Sequence, residues 1–127
     1  MVENKKPITV LHFEITEWKS NVELIRAEIL IFQKQLAGIV RKNSHEEVLK
    51  GVEHFQNQFI RQLEVSDELF HELKGADRKL AQAADNGTDT ESIYVEDNAE
   101  LRDSAYTYEK LFLELKNEFH LFLEKWM

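Results

Sequence analysis

The chain has no cysteine, and among its 127 residues there are only one proline and four glycines. Without cysteine it can form no disulfide bond, no thiolate zinc site and no thiol nucleophile, which fits a reducing compartment. The scarcity of proline and glycine leaves few points at which a helix would be broken. We therefore expect long helices in a cytoplasmic protein.

Long apolar runs and basic clusters are equally scarce. The longest wholly apolar run, residues 29–32, is far shorter than the ~20 residues that span a membrane, and no apolar stretch of signal-peptide length follows the charged N-terminal segment. The 24 acidic residues exceed the 16 basic ones, which gives a net charge of -8. Because phosphate backbones and anionic lipids attract basic surfaces, we expect neither nucleic acid nor a membrane as a partner.

The chain is rich instead in apolar residues that alternate in spacing between four and three positions. A mean spacing of 3.5 is typical of helices in a left-handed coiled coil. The pattern therefore predicts an all-α fold, an up-down-up antiparallel bundle of three long helices with left-handed coiled-coil packing, as one domain over residues 1–127. The three predicted seams are Leu11, Ile15, Trp18, Val22, Ile25, Ile29, Phe32, Leu36 and Ile39; Val48, Val52, Phe55, Phe59, Gln62, Ser66, Leu69, Leu73, Ala76, Leu80 and Ala83; and Leu101, Ala105, Tyr108, Phe112, Leu115, Phe119, Phe122 and Trp126.

Residues that favour helix ends place the boundaries of the first two helices. Pro7 suits the first turn of a helix, and Asn43 can end one in a left-handed conformation. Ser44 and Glu47 then form a capping box that starts the second helix after a very short turn. The second helix continues to about residue 85 and contains two glycines outside the seam, Gly51 and Gly75, which cost about 1 kcal/mol each relative to alanine.

The third helix follows a segment with turn-forming residues, 86–95, which we predict to be a loop. Two cap pairs are available for its start, Asp97 with Glu100 or Thr88 with Glu91, so the start of this helix stays open. The predicted helices span about 7–42, 44–85 and 96–125. Three long heptad helices with Trp18 on the first resemble a spectrin repeat, and this resemblance implies the fold alone.

Catalytic and metal-binding patterns are not found in the sequence. It contains no nucleophile constellation, no glycine-rich phosphate loop and no HExxH motif, so we expect no enzyme and no cofactor. Four of the five histidines fall at outer or rim positions of the heptads, and the pair His120 and Glu124 has no matching histidines on the other helices. We therefore predict no metal site within the bundle.

The acidic segment 85–100 is the one stretch that approaches a cation-binding pattern. From Asp85 to Glu96 it has the length of an EF-hand loop, with oxygen ligands at positions 1, 5 and 12. Gly87 stands at position 3 and Thr90 at position 6, where the pattern requires an oxygen ligand and a glycine. We favour a solvated acidic loop and leave weak divalent-cation binding open.

Gln62 and Ser66 interrupt the second seam with polar side chains. Two interpretations follow: a polar seam residue can fix helix register, or it can orient a ligand in a small pocket. We favour register and keep Gln62 and Ser66 as possible ligand-binding residues. Counting heptads along the chain places only apolar neighbours beside them: Val22, Ile25, Leu115 and Phe119.

A second apolar stripe runs along the outer face of the first helix. Its residues are Val10, Phe13, Leu24, Ala27, Leu30 and Ile31, and the third helix adds Leu113 and Leu121. Such a stripe indicates burial against something else, either the same stripe of a second copy in a two-fold homodimer or a helix of another protein. Helix exchange between copies, or coverage of scattered apolar residues by long charged side chains, would also account for it. We predict a non-catalytic interaction or scaffold bundle that self-associates, with a small-ligand or metal-binding bundle as the alternative.

Overall fold

The computed structural model describes residues 4–85 and 93–127. Three helices make up most of this part of the chain: α1 (Ile8–Lys42), α2 (Glu46–Asp85) and α3 (Ala99–Trp126). α2 packs against both other helices, most extensively against α1. The predicted all-α bundle of three long helices is confirmed.

The order of contacts along α1 and α2 gives their relative direction. His12 near the start of α1 contacts Asp77 near the end of α2, with 2.7 Å between Nδ1 and Oδ1. Arg26, further along α1, contacts Asp67, which lies earlier in α2. Residue numbers therefore rise on one helix as they fall on the other, so α1 and α2 are antiparallel.

α1 and α3 run in the same direction and are joined by a ladder of polar contacts. The three contacts recur at heptad intervals, and the two residues of each contact are separated by 88 positions. They are Glu14 with Arg102, Asn21 with Glu109, and Glu28 with Lys116. The ladder sets the register of α3 on α1 and completes the up-down-up arrangement.

The predicted seams form the core. All of their members are buried apart from a small half-buried set, most of it near the ends of the bundle: Trp18, Ala76, Ala83, Leu101, Phe122 and Trp126. Aromatic rings fill one half of the bundle, where Phe119 lies with its ring centroid 5.0 Å from those of Phe32 and Phe59. Near the end of α3 the inner position belongs to Leu123, which the heptad pattern does not include.

Two short strands, which the sequence pattern does not indicate, precede α1 and α3 and pair with each other. β1 (Lys5–Pro7) and β2 (Tyr94–Glu96) pair in antiparallel fashion, with Lys6 opposite Val95. The Asp97 N–H donates to the Asn4 carbonyl at 2.7 Å and extends the pairing. Strands of three residues are too short to produce a period-2 signal, so their formation depends on the bundle that brings them together.

The turn between α1 and α2 differs from the predicted caps. Asn43 is extended, with φ −131° and ψ 138°, rather than left-handed. Its side-chain amide instead donates at 3.0 Å to the Ile39 carbonyl, which also accepts the backbone N–H of Asn43, so two hydrogen bonds hold Asn43 to the last turn of α1. α2 begins at Glu46, two residues after the predicted start, and the residues described include no hydrogen bond between Ser44 and Glu47.

The start of α3 also differs from its predicted cap. α3 begins at Ala99, and its N-cap residue Asn98 makes no side-chain capping hydrogen bond. Asp97 faces Arg102 and Lys6 instead, at 2.8 Å and 3.4 Å. The carboxylate therefore joins the strand pair to α3 rather than capping the helix.

Candidate functional site

The predicted stripe on α1 is exposed along its whole length. Its large side chains have exposed fractions of 46% for Val10, 64% for Phe13, 65% for Leu24, 54% for Leu30 and 57% for Ile31. Ala27, between Leu24 and Leu30, is exposed as well. Within the part of the chain that the structure describes, no other element covers this surface, which we call the α1 outer face.

The position of the α1 outer face follows from helix geometry. The core residues of α1 recur at the a and d positions of the heptad, so residues at c and f project on the opposite side of the helix. Leu24 and Ile31 stand at c, and Phe13 and Ala27 stand at f. One side of α1 is therefore in the core and the other is apolar and exposed.

Other exposed apolar side chains are scattered over the bundle. Leu113 and Leu121 of α3, 56% and 67% exposed, were expected from the sequence. Further ones that the seam pattern does not single out are Val40, Leu49, Ile60, Tyr94, Tyr106 and Leu111. α1 carries the largest aligned group, because Val10, Leu24 and Ile31 all occupy the same heptad position.

Gln62 and Ser66 lie together in the core, and Tyr108 of α3 supplies their polar partner. Ser66 Oγ donates to the Gln62 carbonyl at 2.8 Å and is 2.5 Å from the Tyr108 hydroxyl. Because the single Ser66 hydroxyl proton is used toward Gln62, the Tyr108 hydroxyl is the donor to Ser66 Oγ. Gln62 Nε2 in turn donates to the Tyr108 carbonyl at 3.4 Å.

This polar group corrects the expectation of purely apolar neighbours. The heptad count places Leu115 beside Gln62, and the two do line the same groove, but the hydrogen bonds are made by Tyr108, one heptad earlier in α3. The count did not include the pairing of β1 with β2, which holds the start of α3 beside the start of α1. A tyrosine in the third seam was the signal in the sequence for a hydroxyl inside the core.

A groove between α2 and α3 opens over this polar group. Its volume is about 340 Å³, and Gln62, Val65, Tyr108 and Leu111 are among its lining residues. Ser66 is fully buried and does not line it. Of the two possible ligand-binding residues, Gln62 alone therefore borders an accessible space. Burial raises the pKa of the Tyr108 hydroxyl, which keeps it protonated as a hydrogen-bond donor.

A cluster of charges joins α1, β2 and α3. Arg102 donates to both carboxylate oxygens of Glu14, at 3.1 and 2.7 Å, and to both of Asp97, at 2.9 and 2.8 Å. The hydrogen bond from Arg102 lowers the pKa of Asp97 to about 2, assisted by the charge of Lys6. The hydrogen bonds that Arg102 donates to Asp97 and Glu14 raise the pKa of Arg102 further above its high ordinary value. Four hydrogen bonds from Arg102 thus hold both carboxylates, and this group of Glu14, Asp97 and Arg102, which we call the clasp, ties the three elements together.

The residues of the candidate cation sites either do not come together in the structure or lie outside the described residues. Asp89 and Glu91 of the acidic segment lie outside the described residues. Within residues 4–85 and 93–127 the structure contains no group of three histidine, aspartate or glutamate side chains that could hold a metal ion. His120 packs edge-on against the Phe32 ring, with 5.9 Å between their centroids.

No helix among the described residues combines the length and apolar character that crossing a membrane requires. Comparison of the chain with protein-family models, with curated proteins and with solved structures gave no match. Any statement about function therefore depends on the surfaces and sites described above.

Proposed function

We propose that this protein is a non-catalytic interaction or scaffold bundle that acts in the cytoplasm and self-associates through the α1 outer face. The observation that supports this proposal is the alignment of exposed Val10, Phe13, Leu24 and Ile31 on one side of α1. A bundle core already has its apolar seam on the other side of the helix. The outer residues are therefore in excess of what the fold needs.

The physical argument is the cost of leaving this surface in water. Burial of a large aliphatic or aromatic side chain contributes about 1.5–3 kcal/mol, so covering several of them at once favours association. Exposed apolar residues that occur singly need no explanation, whereas an aligned group is typical of an interaction surface. A second copy is the simplest partner because it supplies an identical apolar face, and a helix of another protein is the other source.

The test is the solution mass of the wild type and of a matched pair of double variants. Leu24→Glu with Ile31→Glu places charges on the α1 outer face, and Leu113→Glu with Leu121→Glu makes the same change at two similarly exposed leucines of α3. We expect a mass near twice the 15.0 kDa of one chain for the wild type and for the α3 variant. The α1 variant is expected to be a monomer with unchanged helicity.

Each outcome separates two interpretations. Dissociation of the α1 variant alone supports the proposal. A wild type that stays monomeric across a concentration series would contradict self-association. If the α3 variant dissociates as readily as the α1 variant, the assignment of the interface to α1 would be wrong. Loss of helicity in the α1 variant would instead assign Leu24 and Ile31 to the core.

A small-ligand or metal-binding bundle is the second candidate function. The groove over Gln62 and Tyr108 supports it, because polar side chains of α2 and α3 converge there beside three apolar ones, Val65, Leu111 and Leu115. A ligand that binds only the folded state raises the melting temperature in proportion to its concentration. Melting curves with a library of small polar and apolar compounds, and with calcium and zinc, test this candidate, and an absence of any shift in melting temperature would argue against it.

A further inference from the structure

The α1 outer face contains a complete second seam with its own spacing of three and four. It contains the apolar residues of the α1 outer face except Leu30, with polar residues between and after them. Its members are Val10, Phe13, Glu17, Ser20, Leu24, Ala27, Ile31, Lys34, Gly38 and Arg41, and all are exposed except the half-buried Gly38. The seam extends over about 46 Å at 1.5 Å per residue, long enough for a continuous helix-to-helix contact.

Large and small residues, and opposite charges, are arranged along this seam with a particular symmetry. When the seam is laid against itself in the antiparallel direction with the centre between residues 25 and 26, every c position meets an f position, as a and d positions do in an antiparallel coiled coil. The pairs are Val10 with Arg41, Phe13 with Gly38, Glu17 with Lys34, Ser20 with Ile31, and Leu24 with Ala27. Three of the five pairs place a larger apolar side chain against glycine, serine or alanine.

We propose that two copies of this chain dimerise with their α1 helices antiparallel, related by a two-fold axis that passes between residues 25 and 26 of each copy. This proposal rests on the self-association proposed above and adds its geometry. Glu17 of each copy then faces Lys34 of the other, so that the dimer has two identical ion pairs. Phe13 of each copy lies against Gly38 of the other.

The surroundings of Gly38 fit this arrangement. A Cβ atom added to Gly38 would find only Arg41 Nη2 within 4 Å, at 3.9 Å, so the surface above the glycine is open. An aromatic ring from a second copy can therefore approach the helix backbone there. Phe13 is 64% exposed and available for this contact.

Charge distinguishes this dimer from a parallel one. Neither Glu17 nor Lys34 takes part in an ion pair within residues 4–85 and 93–127. In an in-register parallel dimer Glu17 would face Glu17 and Lys34 would face Lys34, and like charges at such positions repel. The antiparallel register replaces both repulsions with attractions.

Cysteine cross-linking tests the register, because the native chain has no cysteine that could interfere. Glu17→Cys with Lys34→Cys should give a covalent dimer under mild oxidation. Either single variant should give none, since residue 17 lies about 26 Å from its symmetry mate along the helix axis. An intramolecular disulfide between the two positions is excluded by the same distance.

Charge reversal is the second test. Glu17→Lys should raise the dissociation constant of the dimer about tenfold, because each change acts twice, and Lys34→Glu should do the same. The double reversal should return it to within about threefold of the wild type. Glu53→Lys, an exposed site on α2 with the same change of charge, is the matched control and should leave the dissociation constant unchanged.

The outcomes separate this proposal from the one on which it rests. Cross-linking of the double cysteine variant alone, with restoration by the double reversal, supports the antiparallel register. Cross-linking of Glu17→Cys by itself, or additive weakening by the two reversals, would overturn the register while the wild type remains a dimer. A monomeric wild type would overturn self-association and this geometry together.

Discussion

Phe122 of α3 lies directly over Gly51 of α2. A Cβ atom added to Gly51 would overlap ring atom Cε1 of Phe122 and lie only 3.1 Å from Cζ. The ring has little freedom to retreat, since its centroid is 5.1 Å from that of Phe55 and 6.4 Å from that of Phe119. The missing side chain at Gly51 is therefore required for packing, although the heptad pattern only places this glycine outside the seam.

Alanine at Gly51 and at Gly75 should change stability in opposite directions. Gly75→Ala should stabilise the fold by about 0.5–1 kcal/mol, because alanine favours a helix and no atom lies within 4 Å of the added Cβ. Gly51→Ala has the same gain in helix propensity, but overpacking against Phe122 costs about 1–3 kcal/mol, so the net effect should be destabilising. Urea unfolding of both variants measures the difference.

Phe122→Ala provides the control for this explanation. In that background the added methyl group has room, and Gly51→Ala should then stabilise the fold by about the amount seen at Gly75. If Gly51→Ala destabilises equally with and without the Phe122 ring, the contact is not the cause. Equal stabilisation at both glycines in the native background would contradict the packing itself.

Ser66 and Tyr108 should show strongly non-additive effects on stability. Ser66→Ala leaves the buried Tyr108 hydroxyl without its acceptor, which should cost about 1–3 kcal/mol. Tyr108→Phe removes the donor but leaves Ser66 bonded to the Gln62 carbonyl, so its cost should be about 0.5–1.5 kcal/mol. The double variant should be no less stable than Ser66→Ala, as measured by chemical denaturation.

A second double variant, with one change on α2 and one on α3, is the control for a pair without a shared hydrogen bond. Ser66→Ala combined with Ala105→Gly changes two residues that share no hydrogen bond, and their effects should add within about 0.5 kcal/mol. Simple additivity of Ser66→Ala and Tyr108→Phe would contradict the hydrogen bond between the two side chains.

The sequence patterns predict the bundle well and its polar details poorly, for identifiable reasons. Burial of residues such as Leu11 and Phe59 follows from spacing alone, because a helix with a 3.5-residue apolar repeat has only one way to remove that seam from water. The partner of Ser66 depends on the axial shift of α3, and this shift depends on the pairing of Lys6 with Val95. The local sequence of strands of three residues does not indicate such a pairing.

The α1 outer face shows the same difference between features that spacing predicts and features that depend on register. Its exposed position on the helix follows from the heptad assignment of Leu24 and Ile31, which the sequence alone supplies. The clasp around Arg102 could not be derived in this way, because Glu14 and Asp97 both reach Arg102 only in the particular register that α1, β2 and α3 adopt. Predicting a contact between distant segments requires the register of the helices, whereas predicting exposure requires only the heptad period.

Asp97 should make the stability of the fold depend on pH in the acidic range. Its pKa lies at about 2 in the folded protein, below the ordinary value of 3.8, because Arg102 binds the carboxylate. The stabilisation is therefore fully present above about pH 4 and is lost as pH falls through 2. Asp97→Asn should lower the free energy of unfolding by about 1–2 kcal/mol at pH 7 and remove this part of the acid dependence.

Unfolding curves at intervals between pH 2 and 7 measure this effect. Asp103→Asn is a suitable control, because Asp103 is an exposed carboxylate on the same helix and should change stability by less than about 0.5 kcal/mol at any pH. An Asp97→Asn variant whose curve stays parallel to that of the wild type down to pH 2 would contradict the role of the clasp.

The last contact of the α1–α3 ladder is incomplete, and filling it with an apolar side chain should stabilise the bundle. The step of 88 positions that joins the three polar pairs leads from Gln35 to Leu123, and Gln35 Oε1 is buried with no hydrogen-bond partner among the described residues. Since an unpaired buried oxygen is costly, Gln35→Leu should raise the free energy of unfolding by about 1 kcal/mol. Gln56→Leu, at an exposed position of α2, is the matched change and should have almost no effect in the same thermal or urea unfolding experiment. Equal effects at the two positions would show that the gain comes from leucine itself, and a loss at Gln35 would mean that its side chain has a polar partner in solution.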